Sequence, residues 1–139
     1  MECTVRWIGD MSFVAETGSK HMVCMDGAPE SGGRDLAPRP MEMLLVGTGG
    51  CTCYDVVHIL RKGRHTITGC TVQVQAERAP VDPKVFTRIH FQFRVTGKDL
   101  KRDAVERAIH LSAEKYCSAS IMLSKSAAIS HAFELIEDA

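Results

Sequence analysis

Six cysteines are the side chains in this sequence with the most reactive chemistry, and they stand at positions 3, 24, 51, 53, 70 and 117. A cysteine thiolate can act as a nucleophile, a metal ligand or a disulfide partner. Structural disulfides are rare in cytosolic chains, so we interpret at least three of the six as plain buried side chains. Cys51 and Cys117 are the two candidates for thiol redox chemistry.

The two candidates differ in their predicted settings. Cys51 lies midway along a predicted helix, on its apolar face, where a cysteine is more often packed than nucleophilic. Cys117 directly precedes a predicted helix start, where the helix dipole and free N–H groups favour the thiolate and lower the thiol pKa. The helix start thus favours a reactive Cys117 more than the helix interior favours a reactive Cys51, but the pattern leaves a reactive and an inert thiol open at both positions.

Metal binding is an alternative that the spacing supports poorly. Cys53 points about 200° away from Cys51 around a helix, so the two thiols cannot bridge each other. Cys51 and His58 share a helix face but stand about 10 Å apart along the axis. Cys51 and Asp55 are a possible ligand pair, and two ligands do not make a site. The sequence therefore predicts neither a metal nor another cofactor.

The predicted elements that position these residues are strands in groups, separated by helices. Alternating side chains predict a three-stranded meander over residues 1–25 and a long hairpin over residues 67–77 and 86–96. Residues 26–40, rich in Gly and Pro, predict a long loop of the kind that often carries function. This grouping indicates an α+β fold with antiparallel sheets in a single domain over residues 1–139.

Three helices complete the prediction. The first begins at Pro40 and ends in the basic turn before Gly63, the second covers about residues 101–116, and a short third begins after Cys117. A last strand covers residues 128–135. Gly47, Gly49 and Gly50 lie inside the first helix, where each costs about 1 kcal/mol relative to Ala. We expect a second backbone to pack closely there; a phosphate-binding loop is excluded because the following Lys-Ser/Thr is missing.

Charge and hydropathy exclude several classes of partner. Lys+Arg and Asp+Glu number 17 each, and no basic stripe of the kind that nucleic-acid binding requires is present. No basic leader with an apolar run opens the chain, and the apolar stretches are shorter than the roughly 20 residues of a membrane span. We expect a cytoplasmic protein without nucleic-acid or membrane partners.

The candidate residues also form a familiar pattern. Residues 40–45 (PMEMLL), then Gly49-Gly50-Cys51, then residues 113–120 (AEKYCSAS) resemble the OsmC/Ohr family, the osmotically inducible and organic hydroperoxide resistance proteins. The resemblance is closest to the short YhfA-like branch and covers essentially the whole chain.

This resemblance implies an intertwined homodimer with a long central helix and active sites at the subunit interface. It assigns Cys51 as the peroxidatic cysteine, Cys117 as the resolving cysteine and Glu42 as the active-site carboxylate. In the family, an arginine from the loop before the central helix completes the active site. Arg34 and Arg39 lie in that loop here and are the candidates, but neither stands at the family's usual distance before the proline that begins the helix.

The function that we expect is a thiol-dependent peroxidase. Cys51 would be oxidised to sulfenic acid by a small hydroperoxide, Cys117 would close a Cys51–Cys117 disulfide, and an external dithiol would reduce it. The alternative is a non-catalytic dimeric protein of the same fold that binds a small molecule or senses redox state.

Overall fold

The computed structural model describes residues 1–139, and the contacts within the chain divide it into two compact units, residues 1–45 and 46–139. The first unit holds an antiparallel meander of β1 (Cys3–Trp7), β2 (Ser12–Thr17) and β3 (Met22–Asp26). The predicted meander and the α+β fold class are confirmed. The single domain over residues 1–139 stays a prediction.

The loop after β3 is organised around the buried Asp26 carboxylate. It accepts hydrogen bonds of 2.8–3.2 Å from the Ser12 hydroxyl and from the backbone N–H groups of Gly27, Arg34 and Leu36. These bonds, the one from Leu36 above all, hold the pKa of Asp26 below its usual range. A long loop rich in Gly and Pro is thereby held to one conformation.

The long helix α1 (Pro40–Lys62) begins at the predicted proline and ends in the predicted basic turn. Five residues recurring at intervals of one to four positions are buried: Thr48, Gly49, Thr52, Val56 and Leu60. Its most apolar 18-residue window has a mean hydropathy of 1.4 and is only 28% buried, so α1 is long and apolar enough to cross a membrane. This finding corrects the expectation that no apolar stretch reaches that length, although core helices of soluble proteins also meet the criterion.

The second unit is built on a sheet of β4 (Thr66–Arg78), β5 (Phe86–Lys98) and β6 (Ala128–Glu137), in that order. β4 and β5 form the predicted antiparallel hairpin, whereas β5 and β6 are parallel. The expectation of purely antiparallel sheets is therefore wrong for β6. The helical connection between β5 and β6 is a crossover, which is the kind of link that parallel neighbours need.

That connection contains α2 (Arg102–Leu111), a π-helical turn (Ser112–Tyr116) and α3 (Ser118–Leu123). The predicted second helix thus has the expected span, but its last five residues are wound more loosely. The break at Cys117 and the fresh helix after it agree with the sequence prediction.

Candidate active site

The π-helical turn sets the position of Cys117. The Cys117 N–H donates to the Ser112 carbonyl at 2.8 Å, a bond that spans five residues. At Cys117 the backbone leaves helical geometry, with φ −74° and ψ 93°, and α3 begins at the next residue. Such turns within helices are frequent at functional sites.

Cys117 is the N-cap of α3, and its side chain is fully buried. Its Sγ accepts a hydrogen bond of 3.4 Å from the Ser120 N–H. Burial raises the pKa of the Cys117 thiol above its ordinary value; the hydrogen bonds with Ser120 oppose this rise, and the neighbouring Cys51 adds to it. The helix-start argument therefore gives the wrong direction for the Cys117 pKa, because the cost of desolvation outweighs the help from the helix start.

The thiols of Cys51 and Cys117 lie close together beside the carboxylate of Asp55. The sulfurs of Cys51 and Cys117 and a carboxylate oxygen of Asp55 all lie within 4.8 Å of one another. Cys51 and Asp55 are neighbours on α1 because they are four residues apart, and both are half-buried. Folding of the second unit thus brings together the two cysteines selected from the sequence.

A chain of hydroxyl groups orients the Asp55 carboxylate. Ser112 Oγ donates to Asp55 Oδ2 at 2.9 Å and lies 2.9 Å from Thr52 Oγ1. Because Ser112 has a single hydroxyl proton, Thr52 donates to Ser112 and Ser112 to Asp55. Thr52 and Ser112 are both buried, at 1% and 0% exposure. The sequence analysis missed this trio. The only feature that could have revealed it is a hydroxyl side chain on the buried face of α1, at Thr52, and another on the π-helical turn, at Ser112.

The same three ligand groups could hold a metal ion. Two sulfurs and one carboxylate oxygen are donors that Zn²⁺ accepts in sites with an open fourth position. The sequence indicated only the pair Cys51 and Asp55, and Cys117 is the third donor that folding adds.

An open groove shares Asp55 with this cluster and is also lined by Tyr116, the residue before Cys117. Its volume is about 460 Å³, and its other lining residues are His58, Ile59, Lys62, Gly63 and Leu111. Asp55 belongs to both the groove and the cluster, whereas Cys51 and Cys117 do not line the groove.

The other three predicted site residues, Arg34, Arg39 and Glu42, lie in the first unit and bond to neighbours within it. Glu42 Oε2 accepts the backbone N–H of Arg39 at 2.9 Å and so caps the start of α1. The Arg39 guanidinium pairs with Asp35 at 2.6 Å, and this contact raises the pKa of Arg39. Arg34 pairs with Asp10 at 3.5 Å. Glu42 therefore has a structural role that the sequence analysis did not anticipate.

The chain is similar to known proteins over nearly its whole length. Residues 32–132 match the family model described as OsmC-like protein. Protein YhfA of Escherichia coli strain K12 is 47% identical over 136 residues, which cover 98% of each chain.

Two solved structures extend the comparison. A hypothetical protein from Aquifex aeolicus VF5 is 26% identical, with a TM-score of 0.87 over 99% of this chain and 97% of its own. An organic hydroperoxide resistance protein OsmC from Legionella pneumophila is 13% identical, with a TM-score of 0.70 over 96% and 95%. At that identity the second structure shows a shared fold.

Proposed function

The chain belongs to the OsmC-like family, and from this membership we propose that it is a thiol-dependent peroxidase that reduces organic hydroperoxides. The observation that carries the proposal is the approach of the Cys51 and Cys117 sulfurs to within 4.8 Å. Two thiols at this separation can close a disulfide after a small movement. The printed name of the L. pneumophila neighbour, a hydroperoxide resistance protein, supports the same chemistry.

Cys51 is the thiol that meets the hydroperoxide. Its thiolate attacks the terminal oxygen of the O–O bond, giving Cys51 sulfenic acid and an alkoxide that takes up a proton and leaves as the alcohol. Cys117 then attacks the sulfenic sulfur; its proton leaves with the displaced hydroxyl as water, and a Cys51–Cys117 disulfide forms. An external dithiol restores both thiols by exchange.

The setting of each residue supports this order of events. Cys51 is only half-buried, so a small hydroperoxide can reach it, whereas Cys117 is fully buried and its raised pKa keeps it protonated before the second step. Asp55, within 4.8 Å of both sulfurs, is the base that we assign to take the Cys117 proton and pass it to the displaced hydroxyl. The groove beside Asp55 would admit the organic part of the substrate.

The resemblance adds an arginine and a glutamate to this reaction, with Arg34, Arg39 and Glu42 as the candidates. Alanine at position 42 would also remove the cap of α1, so Glu42→Gln is the better variant because an amide oxygen can still accept the Arg39 N–H.

We further propose a homodimer in the cytoplasm, where reducing conditions keep thiols available.

The test measures initial rates of consumption of cumene hydroperoxide, with and without dithiothreitol. The wild type should turn over only with the dithiol. Cys51→Ser should not react, whereas Cys117→Ser should consume one equivalent and stop at a sulfenic acid that dimedone traps. Cys24→Ser, at an exposed thiol, is the matched control and should keep the wild-type rate. Reactivity that survives in Cys51→Ser and is lost in Cys117→Ser would reverse the two roles.

A non-catalytic dimeric binding protein is the second candidate, and Asp55 is the observation that favours it. A carboxylate beside two sulfurs is better suited to hold a cation such as Zn²⁺ than to promote a thiolate. Under this alternative the wild type consumes hydroperoxide no faster than Cys51→Ser, so the same rates separate the two candidates.

A further inference from the structure

The acidic side chain of Asp55 lies beside the two thiols without a basic partner. None of the ion pairs of the chain includes Asp55, and its hydrogen-bond partner is the Ser112 hydroxyl. The proposed peroxidase reaction uses Asp55 to move a proton and assigns no positive charge to its carboxylate. A cation that accepts thiolate and carboxylate ligands together would supply that charge.

The spacing of the three ligand atoms suits a zinc ion. The sulfurs of Cys51 and Cys117 and a carboxylate oxygen of Asp55 lie within 4.8 Å of one another. In a tetrahedral site with Zn–S bonds of about 2.3 Å, two sulfurs are roughly 3.8 Å apart, so the thiols need to move by roughly 1 Å or less. Cys51 and Asp55 are half-buried, so an ion can reach the cluster from their side.

The Asp55 carboxylate is oriented in the way that metal ligands commonly are. Ser112 Oγ donates to Asp55 Oδ2 at 2.9 Å, and the buried Thr52 hydroxyl lies 2.9 Å from Ser112 Oγ. Hydrogen bonds from neighbouring groups to a ligating carboxylate fix its orientation and strengthen metal binding. The carboxylate is therefore held in place before an ion arrives.

We propose that Cys51, Asp55 and Cys117 bind one Zn²⁺ ion, and that this ion protects the reduced thiols until a hydroperoxide displaces it. The displacement is the reaction of the proposed peroxidase, so the inference rests on that function. It differs from the non-catalytic alternative, in which the bound ion stays. Because Zn²⁺ has no redox chemistry, it holds the thiolates without oxidising them, and water takes the open fourth position.

The displacement is an oxidation of two zinc-bound thiolates. The Cys51 thiolate takes the terminal oxygen of the hydroperoxide and releases an alkoxide, and the Cys117 thiolate attacks the sulfenic sulfur and releases hydroxide. Two protons from solvent, equal to the two that the thiols lose on binding zinc, convert these products to alcohol and water. The disulfide sulfurs carry no charge and Asp55 is a single ligand, so the ion leaves as Zn²⁺.

Binding is tested with Co²⁺, a coloured substitute for zinc in tetrahedral thiolate sites. Reduced wild type freed of metal by a chelator should bind one Co²⁺ per chain, with a thiolate-to-metal absorption that Zn²⁺ abolishes and excess Mg²⁺ does not. Asp55→Asn should weaken Zn²⁺ binding at least about tenfold, since loss of a hydrogen bond to a ligand alone costs about 10- to 100-fold. If that variant fails to fold by circular dichroism, Cys117→Ser should show the same weakening.

Two thiol variants are the matched controls for binding. Cys24→Ser removes an exposed thiol, and Cys53→Ser removes one member of the other close thiol pair, whose sulfurs are 3.4 Å apart at Cys53 and Cys70. Both variants should bind Co²⁺ as the wild type does. An unchanged affinity in Asp55→Asn, or an absorption that disappears in Cys53→Ser, would refute the site.

Release is followed with a zinc-binding dye while zinc-loaded wild type reacts with one equivalent of cumene hydroperoxide without dithiol. One Zn²⁺ per chain should appear in step with the Cys51–Cys117 disulfide, and added Zn²⁺ should slow hydroperoxide consumption as it fills the site. Consumption at a rate that zinc does not change would overturn the inference and leave the peroxidase standing. Zinc binding with no consumption, in either the metal-free or the loaded protein, would overturn both and leave the binding protein as the function.

Discussion

Thr52, Ser112 and Asp55 are polar groups that satisfy one another where α1 meets the π-helical turn. Two hydrogen bonds of 2.9 Å connect them, and the two hydroxyl side chains are closed to solvent. A buried polar group is tolerated when it is paired and costly when it is not. The trio therefore fixes how residues 112–117 sit against α1, and with them the Cys117 thiol.

Removal of the middle member of this trio should destabilise the protein. Ser112→Ala leaves the Thr52 hydroxyl without its partner, and we expect the free energy of unfolding to fall by about 1–3 kcal/mol. Adding Thr52→Val should recover much of the loss, because the unpaired hydroxyl is then removed as well. Denaturant titration measures both effects. Ser126→Ala, at an exposed serine, is the control, and an equal effect of the two alanines would refute this role of the trio.

The sequence could identify Cys51 and Cys117 but not their surroundings. Their selection rested on thiol chemistry, helix position and family resemblance, and each of these is visible in the residues. The burial of Cys117, and hence the direction of its pKa shift, depends on tertiary packing that a helix-start argument omits. Asp55 was visible as a neighbour of Cys51, and only the path of the chain supplied Cys117 beside it.

Among the helices and strands, the periodicity of the sequence predicted the features that depend only on neighbouring residues. Alternation predicted β4 and β5 within a few residues of their observed ends, and the position of Pro40 predicted the start of α1. The parallel partner of β6 was not predictable in this way, because alternation over residues 128–135 is the same for either strand direction. The π-helical turn also escaped detection, since apolar residues three or four apart fit an α-helix equally well.

The three glycines of α1 lie on two different sides of the helix. A Cβ added at Gly49 would lie 3.0 Å from Val74 Cγ2, so this glycine lets α1 approach its own sheet. A Cβ added at Gly47 or Gly50 would meet nothing within 4 Å. Within the chain, Gly49 thus packs against valine side chains of β4 and not against a second backbone. The second backbone stays a prediction for Gly47 and Gly50, which are available to a second copy.

Substitutions at Gly49 and Gly50 can distinguish the roles of these two sides of the helix. Gly49→Leu should destabilise the folded chain itself, because a Cβ alone already lies 3.0 Å from Val74 Cγ2 and a leucine side chain has no room between α1 and β4. Gly50→Leu should leave the fold of the chain intact and weaken association by about 1–3 kcal/mol through overpacking of the helix crossing. Thermal unfolding at several protein concentrations distinguishes the effects. A Gly50→Leu variant that associates as tightly as the wild type would place the crossing elsewhere.

For the whole molecule, the unexplained feature is the apolar side of α1 that faces solvent. Val46 and Tyr54 are 60% and 70% exposed, and the open Gly47 and Gly50 lie between them. On a helix these four positions form a stripe roughly 100° wide, the pattern of a face that packs against something. The length and hydropathy of α1 would allow a membrane to cover this stripe. We propose that a second copy of the chain covers it.

A charge placed in this stripe should separate the subunits. The wild type is expected to scatter light as two chains of 15.3 kDa each, and Val46→Asp as one. An unpaired carboxylate buried at the contact should weaken association by about 3 kcal/mol or more, which is over a hundredfold in Kd. Val81→Asp is the matched control: Val81 is 70% exposed in the loop between β4 and β5, so this variant should stay dimeric. A wild type of one-chain mass at micromolar concentration would exclude the homodimer. A wild type that stays aggregated until detergent is added would instead favour the membrane.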